Sequence, residues 1–126
     1  MPCPATPRDL LHPDDLIALL QLQLEAIEGC SGMVFNAGGG RDISVSLQEL
    51  TALCREASGR EVPVGSEQRT SAVDVPLYIT DHRRVTGALG WRPVVTPAEI
   101  VGGIVEWVRS DMGRSRRMFS NEEGTG

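Results

Sequence analysis

Lysine is absent from this chain: all 12 basic residues are Arg, set against 17 Asp and Glu. That excludes every chemistry needing a lysine amine, from Schiff bases to a phosphate-loop Lys or a Tyr/Lys proton-transfer pair. Aromatics are also scarce, with two Trp, two Phe and one Tyr in 126 residues. Cys3, Cys30 and Cys54 are odd in number and lack CxxC spacing, so they outline neither a disulfide framework nor a zinc site and read as reduced cytosolic thiols. The longest apolar run near the front, Leu16 to Leu20, is five residues long, far short of the ~20 that span a bilayer or of a signal peptide's core. A cytoplasmic protein with no membrane partner is expected.

What remains is one small acidic domain with a modest core, of net charge −5 and pI near 5.0. The acidity argues against nucleic-acid partners, which need a basic surface to displace counterions. The charge is uneven. Residues 1–68 hold four Arg and ten acids, whereas 69–117 hold eight Arg and five acids, so an anionic small ligand is sought in the second part. The Arg114, Arg116, Arg117 cluster reads as a solvated tail.

Local patterns predict a helix over Pro13–Glu28, with Leu16, Leu20, Leu24 and Ile27 as its apolar line, Asp14 and Asp15 at its positive end, and Gly29 as its stop. Met33–Asn36 reads as a buried strand running into Gly38-Gly39-Gly40. The Ser46-Leu47-Gln48-Glu49 signature predicts a capping box and a helix ended by Gly59, with Leu47, Leu50, Leu53, Cys54 and Ala57 on one face. Glu61–Val64 is a candidate short edge strand, and alternation from Val73 to Ile79 a half-buried one. A short helix from about Asp81 to Leu89, a second capping box at Thr96-Pro97-Ala98-Glu99 and a disordered tail over 113–126 complete the reading. Trp91 and Trp107 are taken as packing groups. The order is that of an α/β protein, with three to four helices and strands too few for a self-sufficient parallel sheet. Met33–Asn36 is apolar throughout, yet the chain offers it few neighbours, so apolar surface should be exposed.

Four blocks in order carry a resemblance: Arg8-Asp9-Leu10-Leu11-His12-Pro13-Asp14-Asp15; Val34-Phe35-Asn36-Ala37-Gly38-Gly39-Gly40; Ser44-Val45-Ser46-Leu47-Gln48-Glu49-Leu50; and Tyr78-Ile79-Thr80-Asp81 leading to Leu89-Gly90-Trp91-Arg92-Pro93. Together they resemble the extended short-chain dehydrogenase/reductase family of NAD-dependent nucleotide-sugar epimerases and dehydratases, most nearly its CDP-paratose 2-epimerase branch. The resemblance implies the C-terminal, substrate-binding portion of a Rossmann-type fold over residues 8–112, after a leader of 1–7, without the dinucleotide-binding half. A βαβ unit takes about 30 residues, and only seven precede Arg8.

In the family, NAD lies on a Gly-rich turn after the first strand, and a Tyr-x-x-x-Lys pair moves the proton while hydride is passed to NAD and returned. Gly38-Gly39-Gly40 lacks that turn's spacing. Tyr78 and His82 share the pair's separation, but His stands where Lys would, and Tyr78 falls on a strand. No catalytic residue, cofactor-binding residue or metal ligand is therefore assigned, and the chain alone is expected to be inactive. The resemblance implies nucleotide-sugar binding, of a CDP-sugar type, through Arg69, whose guanidinium can grip a diphosphate, and Asp74, which can accept from ribose hydroxyls. Arg8, Asp9 and His12 are read as framework. Two functions follow: a truncated epimerase/dehydratase homologue, or a non-enzymatic binding subunit that docks onto a separately encoded cofactor domain.

Overall fold

The computed structural model describes residues 7–65 and 75–119. The order is β1 (Arg8–Asp9), α1 (Pro13–Glu25), α2 (Ile27–Cys30), a 3-10 turn (Arg41–Ile43), β2 (Ser44–Val45), α3 (Leu47–Ser58), α4 (Arg83–Leu89), α5 (Pro97–Ser110) and α6 (Met112–Phe119). This is an α/β chain with six helices and one two-stranded sheet among the described residues.

β1 is the hub of what sheet there is. It pairs antiparallel with β2, Arg8 opposite Val45 and Asp9 opposite Ser44, and on its other side a parallel bridge joins Arg8 to Tyr78. The long helices begin where their caps place them. Ser46 and Thr96 each accept from the N–H three residues on, at Glu49 and Glu99, whose carboxylates take back the cap residue's own N–H. Gly59 and Gly90 end α3 and α4 in the left-handed conformation, where a Cβ would be strained. α3 and α5 pack on each other, tied by the Arg109 guanidinium donating to the Ser58 carbonyl at 2.7 Å.

The core is small. Leu19, Val85 and Trp91 form its centre, with Leu11, Leu22, Phe35 and Leu89 packed around them. Beside it the Asp15 side chain, 4% exposed, takes the N–H groups of Val94 and Val95, both at 3.0 Å, and the Asp15 carbonyl takes the Trp91 indole N–H at 2.8 Å. α1 is thus fastened to the segment before α5 by three hydrogen bonds.

Several expected elements differ. The line Leu16, Leu20, Leu24, Ile27 faces solvent; the buried side of α1 runs through Asp15 and Leu19 instead. Both sides of the helix are apolar, so spacing alone could not select the inner one. Met33–Asn36 and Glu61–Val64 form no strand, because neither finds a strand partner among the described residues. Of the Val73–Ile79 strand, residues 73 and 74 lie outside the described residues, and the rest contributes only the Tyr78 bridge. Residues 112–119, placed mostly in a disordered tail by their lost periodicity, are helical: Asp111 accepts from the Ser115 N–H at 3.0 Å and faces Arg114 at 3.9 Å, while the stretch itself is rich in helix-favouring Met and Arg.

Candidate functional site

Three segments meet at Asp9. Its Oδ2 accepts from the backbone N–H of Gly40 at 3.0 Å and of Thr80 at 3.1 Å, so one carboxylate joins β1, the triple-glycine loop and the stretch before α4. Partial burial opposes its charge, but the hydrogen bonds from Thr80 and Gly40 outweigh that and hold its pKa below the ordinary carboxylate value. The glycines answer to the same crowding. A Cβ on Gly39 would run into the Leu10 carbonyl, one on Gly38 into the Thr80 side chain, and Gly40, at φ +67°, would place one 2.7 Å from His82 Nε2.

That packing decides what the loop can hold. The Gly40 amide is committed to Asp9, and a three-residue 3-10 turn follows rather than a helix whose N-terminus could face a pyrophosphate. Gly38–Gly40 do not fit a dinucleotide cradle.

The loop opens on a cavity of about 560 Å³ lined by Gly40, Arg41, Asp42, Leu77, Ile79, Thr80, Asp81, His82 and Arg83. A second recess of about 480 Å³, lined by Asn36, Asp81, Arg83 and Arg84, shares the Asp81–Arg83 wall. There the guanidinium grips both carboxylate oxygens, Nε to Oδ1 at 2.9 Å and Nη2 to Oδ2 at 2.6 Å, and these bonds lower the Asp81 pKa to about 2. Arg41, Arg83 and Arg84 bring three guanidinium groups to the two recesses, of which Arg83 is already paired with Asp81, and Asp42 shares the wall with Arg41.

Arg8 donates to the Val75 carbonyl at 2.6 Å, tying β1 to the first residue after Asp74. Arg69 and Asp74 themselves lie outside the described residues. His12 caps α1, its Nδ1 accepting from the Asp14 N–H at 3.1 Å. Tyr78 is more than half exposed, while His82 Nδ1 lies 3.0 Å from the Thr86 hydroxyl and its ring meets Trp91 edge-on. Trp91 is buried; Trp107 is exposed. No group of three or more His, Cys, Asp or Glu able to hold a metal occurs among the described residues, and none of their helices is long and apolar enough to cross a membrane.

Sequence reasoning missed Asp15 as a cross-link and the Asp81–Arg83 pair as a cavity wall. Asp15 had no signal of its own, because the Leu19 side of α1 on which it lies is no more apolar than the opposite side. Asp81 and Arg83 had none beyond their opposite charges.

Comparison with known proteins gives the class first. The fold matches a UDP-glucose 4-epimerase from Bifidobacterium longum in complex with NAD+ and UDP, with a TM-score of 0.71 at 21% identity, over 89% of this chain and 32% of that one. It also matches the enzyme WbmG of Bordetella bronchiseptica in complex with NAD, at 0.69 and 28% identity, over 86% and 34%. This is part of a Rossmann-type epimerase fold. No family model matches the chain. Among curated proteins, it is 28% identical over 103 residues to CDP-paratose 2-epimerase of Salmonella typhi and 32% identical over 104 residues to dTDP-glucose 4,6-dehydratase of an Actinoplanes species. These similarities mark the chain as a partial extended short-chain dehydrogenase/reductase fragment, which spans about a third of the length of the curated relatives it matches.

Proposed function

We infer that this chain is the nucleotide-sugar-binding portion of an NAD-dependent epimerase or dehydratase, and that it works beside a dinucleotide-binding portion that holds NAD and supplies the proton-transfer pair. One observation carries the reading: the similarity takes in 82% of this chain but only 30% of the epimerase it matches. Two facts about the residues support it. The chain has no lysine for a Tyr/Lys pair, and its Gly-rich loop is spent on packing against Leu10, Thr80 and His82.

On this reading the Arg69 guanidinium grips the diphosphate of a CDP-sugar and the Asp74 carboxylate accepts from its ribose hydroxyls. Arg8 steadies that segment where it rejoins β1, by holding the Val75 carbonyl. Arg41 and Arg83 line the neighbouring cavity together with Asp42 and Asp81, which balance their charge. Calorimetric titration with CDP- and UDP-sugars tests this. Weak binding that Arg69→Ala abolishes is expected, with CDP-sugars bound more tightly than UDP-sugars; binding unchanged by that substitution removes Arg69 from the site.

Lysine's absence equally suits the second reading, a non-enzymatic binding subunit docking onto a separately encoded cofactor domain. Coexpression with an adjacent cofactor-domain reading frame separates the two. A stable complex without turnover favours the subunit, and a complex that turns over a nucleotide sugar favours the split enzyme.

A further inference from the structure

The recesses formed by the described residues differ in charge. Those at the triple-glycine loop and beside Asn36 share the Asp81–Arg83 pair, and another, between α3 and the start of α5, is lined by Glu49 and Glu56 without any Arg. A further one, of about 260 Å³, lies where α3 ends against the second half of α5, and is lined by Arg60 and Arg109 and by no acid. Its body is apolar. Ile104, Val105 and Val108 of α5 and Met112 of α6 form the wall, with Ile104 55% and Met112 42% exposed.

The two guanidinium groups stand differently. Arg109 donates to the Ser58 carbonyl at 2.7 Å and so answers the end of α3. The Arg60 side chain makes no hydrogen bond or ion pair among the described residues; only its backbone N–H is used, by Ser58 Oγ at 3.2 Å. The helix ends do not cancel this charge. α3 ends at Ser58 and α5 at Ser110, each bringing about half a unit of negative charge, while α6 starts at Met112 and brings about half a unit of positive. Against two guanidinium groups the net is about +1.5. Of the acids nearest in sequence, Asp111 faces Arg114 at 3.9 Å, and neither it nor Glu61 lines the recess.

Size and charge together select the occupant. About 260 Å³ is the liquid volume of roughly nine waters and lies just below the ~300–1,000 Å³ of ordinary small-molecule sites, which limits the body to one ring or a branched chain. A single negative charge is matched by the net charge, and a planar carboxylate suits the guanidinium fork. We propose that this recess binds a small monocarboxylate with an apolar body, its ring or chain against Ile104, Val105 and Val108 and its carboxylate on the Arg60 guanidinium. No residue assigned to the nucleotide sugar lines the recess, so the site stands or falls apart from that reading.

Titration of the full chain with 3-phenylpropionate, followed by calorimetry and by amide chemical shifts, tests this. Two companions are run beside it: 3-phenylpropan-1-ol keeps the body without the charge, and propionate keeps the charge without the body. A Kd of about 1 mM or below is expected for 3-phenylpropionate, with both companions about tenfold weaker or more. Shifts should centre on residues 58–60 and 104–112. Arg60→Gln should weaken binding about tenfold, and Ile104→Asp, which sets a like charge in the apolar wall, should abolish it. Arg92→Gln, at an exposed residue that does not line the recess, should leave it unchanged. Thermal melts without ligand establish that the variants fold, and the shift map of the unsubstituted chain decides the location independently of them. No binding of 3-phenylpropionate, equal binding of the alcohol, binding indifferent to Arg60→Gln in a folded variant, or shifts centred elsewhere would each overturn the proposal.

Discussion

Replacing Asp15 by Ala separates two accounts of the same residue. As one of two acids at the positive end of α1, it would contribute only ~0.3–1 kcal/mol, much like Asp14 beside it. The structure gives it a larger share, because its two oxygens bind the Val94 and Val95 N–H groups at 3.0 Å each with the side chain almost fully buried. Hydrogen bonds to a charged group are worth ~1.5–3 kcal/mol each. Val94 is 74% exposed, so water can reach its freed N–H and part of the loss is recovered. A cost of ~2–4 kcal/mol for Asp15→Ala follows, roughly half that for Asp15→Asn, which keeps one acceptor oxygen, and under ~1 kcal/mol for Asp14→Ala. The Trp91 indole bond goes to the Asp15 backbone carbonyl and survives all three changes. Urea unfolding followed by circular dichroism measures the series. Equal effects at positions 14 and 15 would refute the cross-link.

Gly39→Ala should be severely destabilising, since its Cβ would meet the Leu10 carbonyl, whereas Gly87→Ala, inside α4 with open space around it, should stabilise by ~0.5–1 kcal/mol; thermal melts of both decide it. Thr96→Ala removes one capping box and should cost about 1 kcal/mol, read in the same melts. Asp9 has a folded pKa below its ordinary value, so its contribution to stability is fully present above pH 3.8 and is lost as pH falls from there through the folded value. Urea midpoints should therefore drop as pH falls below 3.8, and drop less in Asp9→Asn; equal slopes there would refute the role of Asp9.

The caps and stops were legible in the sequence because each depends on residues within one turn. Ser46 with Glu49, Thr96 with Glu99, and Gly59 and Gly90 needed no tertiary information. The inward side of α1 was not legible, since Leu16, Leu20 and Leu24 repeat as regularly as Leu19 and Leu22 and only the position of Trp91 selects between them. Met33–Asn36 has the composition of a strand, but pairing needs a second strand at hydrogen-bonding distance, and composition is silent on that. At the site, the triple glycine marked a place of close approach; what approaches it, Leu10, Thr80 and His82, comes from segments up to 42 residues away in sequence and appears only in three dimensions.

The central claim is that this chain carries the nucleotide-sugar side of such an enzyme and not its redox side. Calorimetric titration of the purified chain with NAD and NADH, run beside a turnover assay on CDP- and UDP-sugars, addresses it most directly. The account predicts no NAD binding and no interconversion or dehydration of any nucleotide sugar by the chain alone. Micromolar NAD affinity, or turnover abolished by Tyr78→Phe, would contradict it.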